Sequence, residues 1–203
     1  MKKFFFIFTC FFLIQTSKAQ DSVSVEKSLI GSSVSPFGSL SFDYEVKLSK
    51  EWTLLSNISA YYDYDKGSNL NSKGYSIRPI LGLEPRWYYN LDRRNRLSKN
   101  IKFNAGNYWS LDIDYHLKSI LATNQSNYTI ENSIYFLPSY GMRRIISKNL
   151  YFDGSLYIGY SQVFGYETFP VSNPDFYSSQ NGGSFYFGLK LRVGLNFITK
   201  KWL

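Results

Sequence analysis

From Phe185 to Phe197 the chain alternates without a break. Odd positions carry Phe185, Phe187, Leu189, Leu191, Val193, Leu195 and Phe197; even ones carry Tyr186, Gly188, Lys190, Arg192, Gly194 and Asn196. A period of two is the mark of a β-strand with different surroundings on its two faces. The same pattern recurs upstream. In Leu40–Leu48, Leu40, Phe42, Tyr44, Val46 and Leu48 oppose Ser41, Asp43, Glu45 and Lys47. Tyr75–Tyr89 sets Ile77, Leu81, Leu83 and Trp87 against Arg78, Glu84, Arg86 and Tyr88. Ala105–Lys118 sets Trp109, Leu111, Ile113, Tyr115 and Leu117 against Tyr108, Ser110, Asp112, Asp114, His116 and Lys118. Tyr128–Met142 has Ile130, Ile134, Phe136 and Tyr140 opposite Glu131 and Tyr135, with Arg143 just beyond. Leu150–Phe164 has Phe152, Leu156, Ile158 and Tyr160 opposite Asp153, Tyr157 and Ser161. Trp52–Tyr62 fits except that Leu55 falls on the polar face, and Leu29–Phe37 is carried by Ile30 and Val34 alone.

The connections alternate in length. Short turns lie at Ser49–Glu51 and Ser147–Asn149, and longer polar stretches at Asp63–Gly74, Ser119–Asn127 and Gly165–Gly183. Such alternation fits an all-β, eight-stranded antiparallel up-and-down barrel, with turns at one end and loops at the other. One connection departs from it: Asp92–Lys102 (DRRNRLSKNIK) falls on the short-turn side yet is long and basic.

Alternation leaves open which face looks outward, since a soluble lipocalin-like barrel shares the period with its apolar side inside. Two features favour a transmembrane barrel with the apolar face outside. Aromatics of that face gather near strand ends, at Trp52, Tyr62, Tyr75, Trp87, Tyr89, Trp109, Tyr115, Tyr128, Tyr140 and Phe197, as in the interfacial girdles of membrane barrels. The longest alternating segments also suffice for a tilted crossing. Composition agrees: aromatics make up 19% of the chain, with 18 tyrosines.

The start of the chain supplies an address. MKKFFFIFTCFFLIQTSKAQ has two lysines, an apolar run from Phe4 to Ile14, and small residues around Ser17-Lys18-Ala19. Residues 1–19 therefore read as a secretory signal peptide and residues 20–203 as the barrel domain. Cys10 sits within the apolar run with no small residues before it, against a lipoprotein signal, and the run is too short to span a bilayer as a helix. Since Cys10 is the sole cysteine, the exported chain has no disulfide and no thiolate metal site. Removing Lys2, Lys3 and Lys18 leaves 20 basic and 15 acidic residues, a modest excess that, with export, argues against a nucleic-acid partner.

Parity sends seven acids inside (Asp43, Glu45, Glu84, Asp112, Asp114, Glu131, Asp153) and seven bases (Lys47, Arg78, Arg86, Lys118, Arg143, Lys190, Arg192). An eight-stranded barrel has room inside only for side chains, and charges there must be paired. Equal numbers point to an ion-pair network that plugs the lumen; a narrow pathway for ions or small solutes through the same groups is the alternative. His116, the sole histidine, lies on the same face as Asp114 and Ser110. Those three types can form a nucleophilic triad, and small barrel enzymes acting on lipids would supply a template. No GxSxG elbow accompanies them, and His116 faces the lumen, so the bland reading is a member of the polar network. Asp63 and Asp65 hint at calcium, but no later acid completes a loop, so neither metal nor other cofactor is expected.

Arg93, Arg94, Arg96, Lys99 and Lys102 form either a solvated turn touching phospholipid head groups or a docking site for a periplasmic partner. The segment 165–183, with Tyr166, Phe169, Phe176 and Tyr177, is the candidate for contact with an extracellular ligand.

With Leu83–Leu91 (LEPRWYYNL), Tyr140–Arg144 (YGMRR) and the closing Gly188–Phe197 strand, the chain resembles the small outer-membrane β-barrel, porin-like family, in the size class of OmpA and OmpX transmembrane domains. The resemblance covers the chain after the leader as a strand pattern, not as a functional motif. It implies the outer membrane of a Gram-negative-type cell, contact with outer-membrane lipids, and insertion by the barrel-assembly machinery. One feature departs from it: such chains usually stop at an aromatic residue, whereas Ile198–Leu203 continue past Phe197. The expectation is a non-enzymatic barrel of the cell envelope with a structural or surface-interaction role, a channel or transporter being the second reading and a lipid-modifying enzyme the third.

Overall fold

In the structure, a computed structural model that describes residues 23–65, 74–118, 120–123, 132–164 and 183–198, strands dominate. Eight long strands run in chain order: β1 (Ser28–Ser35), β2 (Ser39–Lys47), β3 (Trp52–Asp65), β4 (Gly74–Trp87), β5 (Asn107–His116), β7 (Asn132–Ile145), β8 (Leu150–Phe164) and β9 (Gly183–Ile198). A two-residue strand, β6 (Ala122–Thr123), pairs with β4 beside β5. Every pairing is antiparallel, and each long strand pairs with its neighbours in the chain. β1 pairs with β9, which closes the sheet into an eight-stranded up-and-down barrel without a free edge.

Turns and loops segregate as the connection lengths imply. Residues 48–51, 88–106 and 146–149 lie at one end, here the turn end; Pro36–Gly38, Leu117, Lys118 and residues 120–123 lie at the other, the loop end. Residues 66–73, 119, 124–131, 165–182 and 199–203 fall outside the described residues, as do Glu131, the aromatics of 165–183 assigned to an outside ligand and the leader 1–19.

The barrel is turned inside out relative to a soluble protein. Ile58 is 62% exposed, Ile158 68% and Phe187 89%, whereas Arg86 is 0% exposed, Asp153 1% and Glu45 2%. Leu55 keeps the parity of its strand and is buried inside at 2% exposure, so the apparent misfit in β3 is an apolar residue in a mostly polar core. β1 begins one residue earlier than expected and ends before Phe37, with Leu29 buried inside and Val34 outside.

The long basic connection is not a simple turn. After β4 the chain forms a short helix, α1 (Leu91–Arg96), and then a 3-10 turn at Lys102–Asn104. This stretch folds back over the turn end of the barrel. Leu91 joins Val25, Tyr88 and Tyr108 in an apolar cluster, with Val23 and Ile101 packed against it. Phe103 and Asn104, both buried, have left-handed backbone angles (φ 54° and 59°), held by what their atoms touch. Asn104 Nδ2 donates to Glu45 Oε1 at 3.0 Å, its Oδ1 accepts from the Glu26 amide at 2.7 Å, and the Phe103 carbonyl accepts from Arg143 Nη1 at 3.4 Å. The segment corks the turn end and bonds to the charged interior beneath it.

Candidate functional site

The interior of the turn-end half is an ionic knot contributed by five strands. Alternation points Glu45 of β2, Glu84 and Arg86 of β4, Arg143 of β7, Asp153 of β8 and Arg192 of β9 at one another. Asp153 Oδ2 lies 2.8 Å from Arg86 Nη1, 3.1 Å from Arg143 Nη2 and 3.6 Å from Arg192 Nη2. Its other oxygen accepts from the Tyr108 hydroxyl. Glu84 Oε2 lies 2.7 Å from Arg86 Nη2 and 3.3 Å from Arg192 Nη2, while its Oε1 accepts from Ser110 Oγ at 2.8 Å. Glu45 Oε2 lies 2.5 Å from Arg143 Nη1, and its Oε1 accepts from Thr53 Oγ1 at 2.7 Å. Three guanidinium groups thus face three carboxylates, and the knot is neutral. Tyrosine rings fill its gaps: Arg86 lies 4.3 Å over the Tyr108 ring and Arg143 4.9 Å over Tyr151.

Such a cluster holds together because each charge loses water but gains several oppositely charged hydrogen-bond partners. Arginine suits the role, since one guanidinium spans two carboxylates.

The other interior residues lie around this knot. Asp43 accepts from Ser33 Oγ at 2.7 Å and from the Tyr151 hydroxyl at 3.1 Å. Lys190 bonds to Asp112 and lies 3.8 Å from Asp114. Lys47 is half-buried at the turn end and donates to Ser24 Oγ at 2.5 Å. Arg78, nearer the loop end, lies 3.7 Å from Asp63. Lys118 departs from the parity assignment: it follows the end of β5, where strand geometry stops, and is exposed.

His116 sits between rings, 4.3 Å from Tyr135 and 6.4 Å from Tyr61 by centroid. Ser110 is six residues away on the same strand, about 20 Å at ~3.3 Å per residue. Its hydroxyl is engaged with Glu84 and Ser139. His116, Asp114 and Ser110 therefore do not form a triad. Among the described residues, no group of three His, Cys, Asp or Glu side chains is placed to hold a metal ion.

Below the loop end the interior widens into a cavity of about 610 Å³. Ser35, Ser39, Ser41 and Ser59 line it together with Tyr61, Arg78, His116 and Tyr135. In the basic connection, Arg93, Arg96, Lys99 and Lys102 are exposed, while Arg94 is half-buried and donates to the Asn100 carbonyl at 2.9 Å.

Alternation says which way a strand's side chains point, inward for Glu45, Glu84, Arg86, Arg143, Asp153 and Arg192, but not which of them meet. The cork was missed, because Phe103 and Asn104 carry no glycine to announce their left-handed backbone. The cavity was also missed, because parity says that side chains face inward but not how much space they leave. No protein-family model, no curated protein and no solved structure matches the chain.

Proposed function

We propose that the chain is an exported integral outer-membrane barrel of the small porin-like class. In this reading the lumen is sealed by its own side chains, and the protein serves the cell envelope as a structural or surface-interaction component rather than as an enzyme. Lipids surround the barrel, the assembly machinery inserts it, and the loop end is the part available to an outside ligand.

The observation that carries the membrane reading is the outer surface. Trp52 and Trp87 stack at 6.1 Å, Trp87 lies 5.9 Å from Tyr89, Tyr89 6.4 Å from Tyr140, and Tyr140 5.0 Å from Trp109. These rings form a belt around the turn end across β3, β4, β5 and β7. Toward the loop end, Tyr62 and Tyr75 stack at 6.1 Å and Tyr160 meets Phe185 at 5.0 Å. Trp52 and Tyr62 share a face ten residues apart. At ~3.3 Å per residue and a tilt near 40° the belts stand about 25 Å apart, the height of the apolar band of outer-membrane barrels. Between them β3 shows outward only Leu54, Ser56, Ile58 and Ala60, and β4 only Ile77, Pro79, Leu81, Leu83 and Pro85. A band free of charge suits acyl chains, and indole and phenol rings suit the head-group boundary.

The sealed-lumen reading rests on the neutral knot together with the cork above it. The test is single-channel conductance of the refolded chain without residues 1–19 in a planar bilayer. Wild type gives no steps, whereas Glu45→Ala and Arg192→Ala, which unpair buried charges, give leak currents. Stable steps in wild type would overturn the sealed reading in favour of a narrow channel.

A further inference from the structure

The loop-end cavity has the marks of a ligand site that the sealed-barrel reading does not use. Its volume of about 610 Å³ falls in the range of small-molecule pockets. Its lining combines two kinds of chemistry. β1, β2 and β3 contribute a row of hydroxyls, Ser35, Ser39, Ser41 and Ser59. Beside them, β3, β4, β5 and β7 contribute Tyr61, which pairs with Ser39 across β2 and β3, and Arg78, His116 and Tyr135.

Charge pairing then singles out one group. Lys190 is taken by Asp112 and Asp114, and Arg192 by Glu84 and Asp153. Among the described residues the acid nearest Arg78 in the ion pairs is Asp63, at 3.7 Å, beyond hydrogen-bond length, and that carboxylate is 40% exposed. Arg78 lies 5.7 Å over the Tyr61 ring, and its Nε is buried with no hydrogen-bond partner among the described residues. The Nδ1 of His116 is likewise buried and unpartnered among them. A guanidinium whose buried Nε has no partner among the described residues favours an anion that accepts from it.

We propose that this cavity binds a small hydroxylated anion of the size of a sugar acid. Its acidic group sits on Arg78 with His116 alongside, its hydroxyls face the serine row, and its apolar face packs on Tyr61 and Tyr135. The site does not depend on whether the turn-end half conducts, so its failure and that of the sealed-lumen reading are separate results.

The test is calorimetric titration of the purified, detergent-solubilised protein with D-glucuronate, and with D-glucose as the neutral counterpart. The expected result is saturable glucuronate binding, with glucose weaker by about tenfold or more. Arg78→Gln weakens glucuronate by a similar factor, as losing one charge-assisted contact does. Arg78 lies outside the ionic knot. As a second variant Ser39→Phe removes no charge and fills the cavity, and it abolishes binding while the circular dichroism spectrum stays that of the wild type. No saturable glucuronate binding, equal affinity for glucose, or unchanged affinity in Ser39→Phe would overturn the proposal.

Discussion

Among single residues, Gly141 shows most clearly how the interior is filled. It stands opposite Tyr108 in the β5–β7 register, and a Cβ built on it would lie 2.4 Å from the Tyr108 Cζ. The tyrosine lies flat across its neighbour strand only because that neighbour has no side chain. The same pairing recurs where Tyr157 crosses Gly188 and Tyr151 crosses Gly194. Rings laid on glycines occupy space that alternation alone would leave empty, and at Tyr108 they aim the hydroxyl at Asp153. Gly141→Ala is therefore expected to cost about 1–3 kcal/mol through overpacking, read as a lower urea midpoint for the refolded barrel in micelles. Combining it with Tyr108→Leu should cost less than the sum of the two single changes, because the methyl and the ring contend for one space. Additive losses would mean that the ring does not rest on Gly141.

At the scale of elements, the strands and the cork differ in how far the sequence discloses them. Each strand is set by alternation, which survives individual exceptions. Leu55 keeps its inward parity against its own polarity, and β8 spans Leu150–Phe164, the same limits the alternating pattern has. The knot follows from that parity, since Glu45, Glu84, Arg86, Arg143 and Arg192 can only point inward; which acid meets which base depends on barrel stagger, which alternation does not encode. The cork had no such signal. DRRNRLSKNIK reads as a solvated loop because it is dense in charge, while the residues that anchor it, Phe103 and Asn104, come just after. Asn104 is the anchor to test. Asn104→Ala leaves Glu45 Oε1 and the Glu26 amide each short of a partner, at about 1–3 kcal/mol for a buried polar group left unsatisfied. The expected outcome is faster trypsin cleavage at Arg93, Arg96, Lys99 and Lys102 while the barrel remains folded. Unchanged cleavage would show that the segment is held by Leu91 and the apolar cluster rather than by its bond to the knot.

On the scale of the whole molecule, polarity is inverted: charge is concentrated on the axis and apolar surface on the rim. That arrangement suits a solvent that is itself apolar over a limited depth, and it makes the cost of an outward charge depend on height along the barrel. Ile58 lies between the two aromatic belts, outward-facing and 62% exposed, while Leu48 lies just past the end of β2 and is 59% exposed. By exposure the two positions are alike, so in water arginine at either would be nearly neutral. In a bilayer they part: Ile58→Arg places the guanidinium near the midplane at about 2–4 kcal/mol, and Leu48→Arg places it by the head groups at about 0–1 kcal/mol. Equilibrium unfolding of both variants from phospholipid vesicles measures the difference directly. A gap of that size, absent when the same variants are compared by how they alter a soluble aggregate of the chain, would require that the band between the belts contacts acyl chains. Equal costs at the two heights would return the barrel to water and leave its outward leucines, isoleucines and phenylalanines as a surface for another protein.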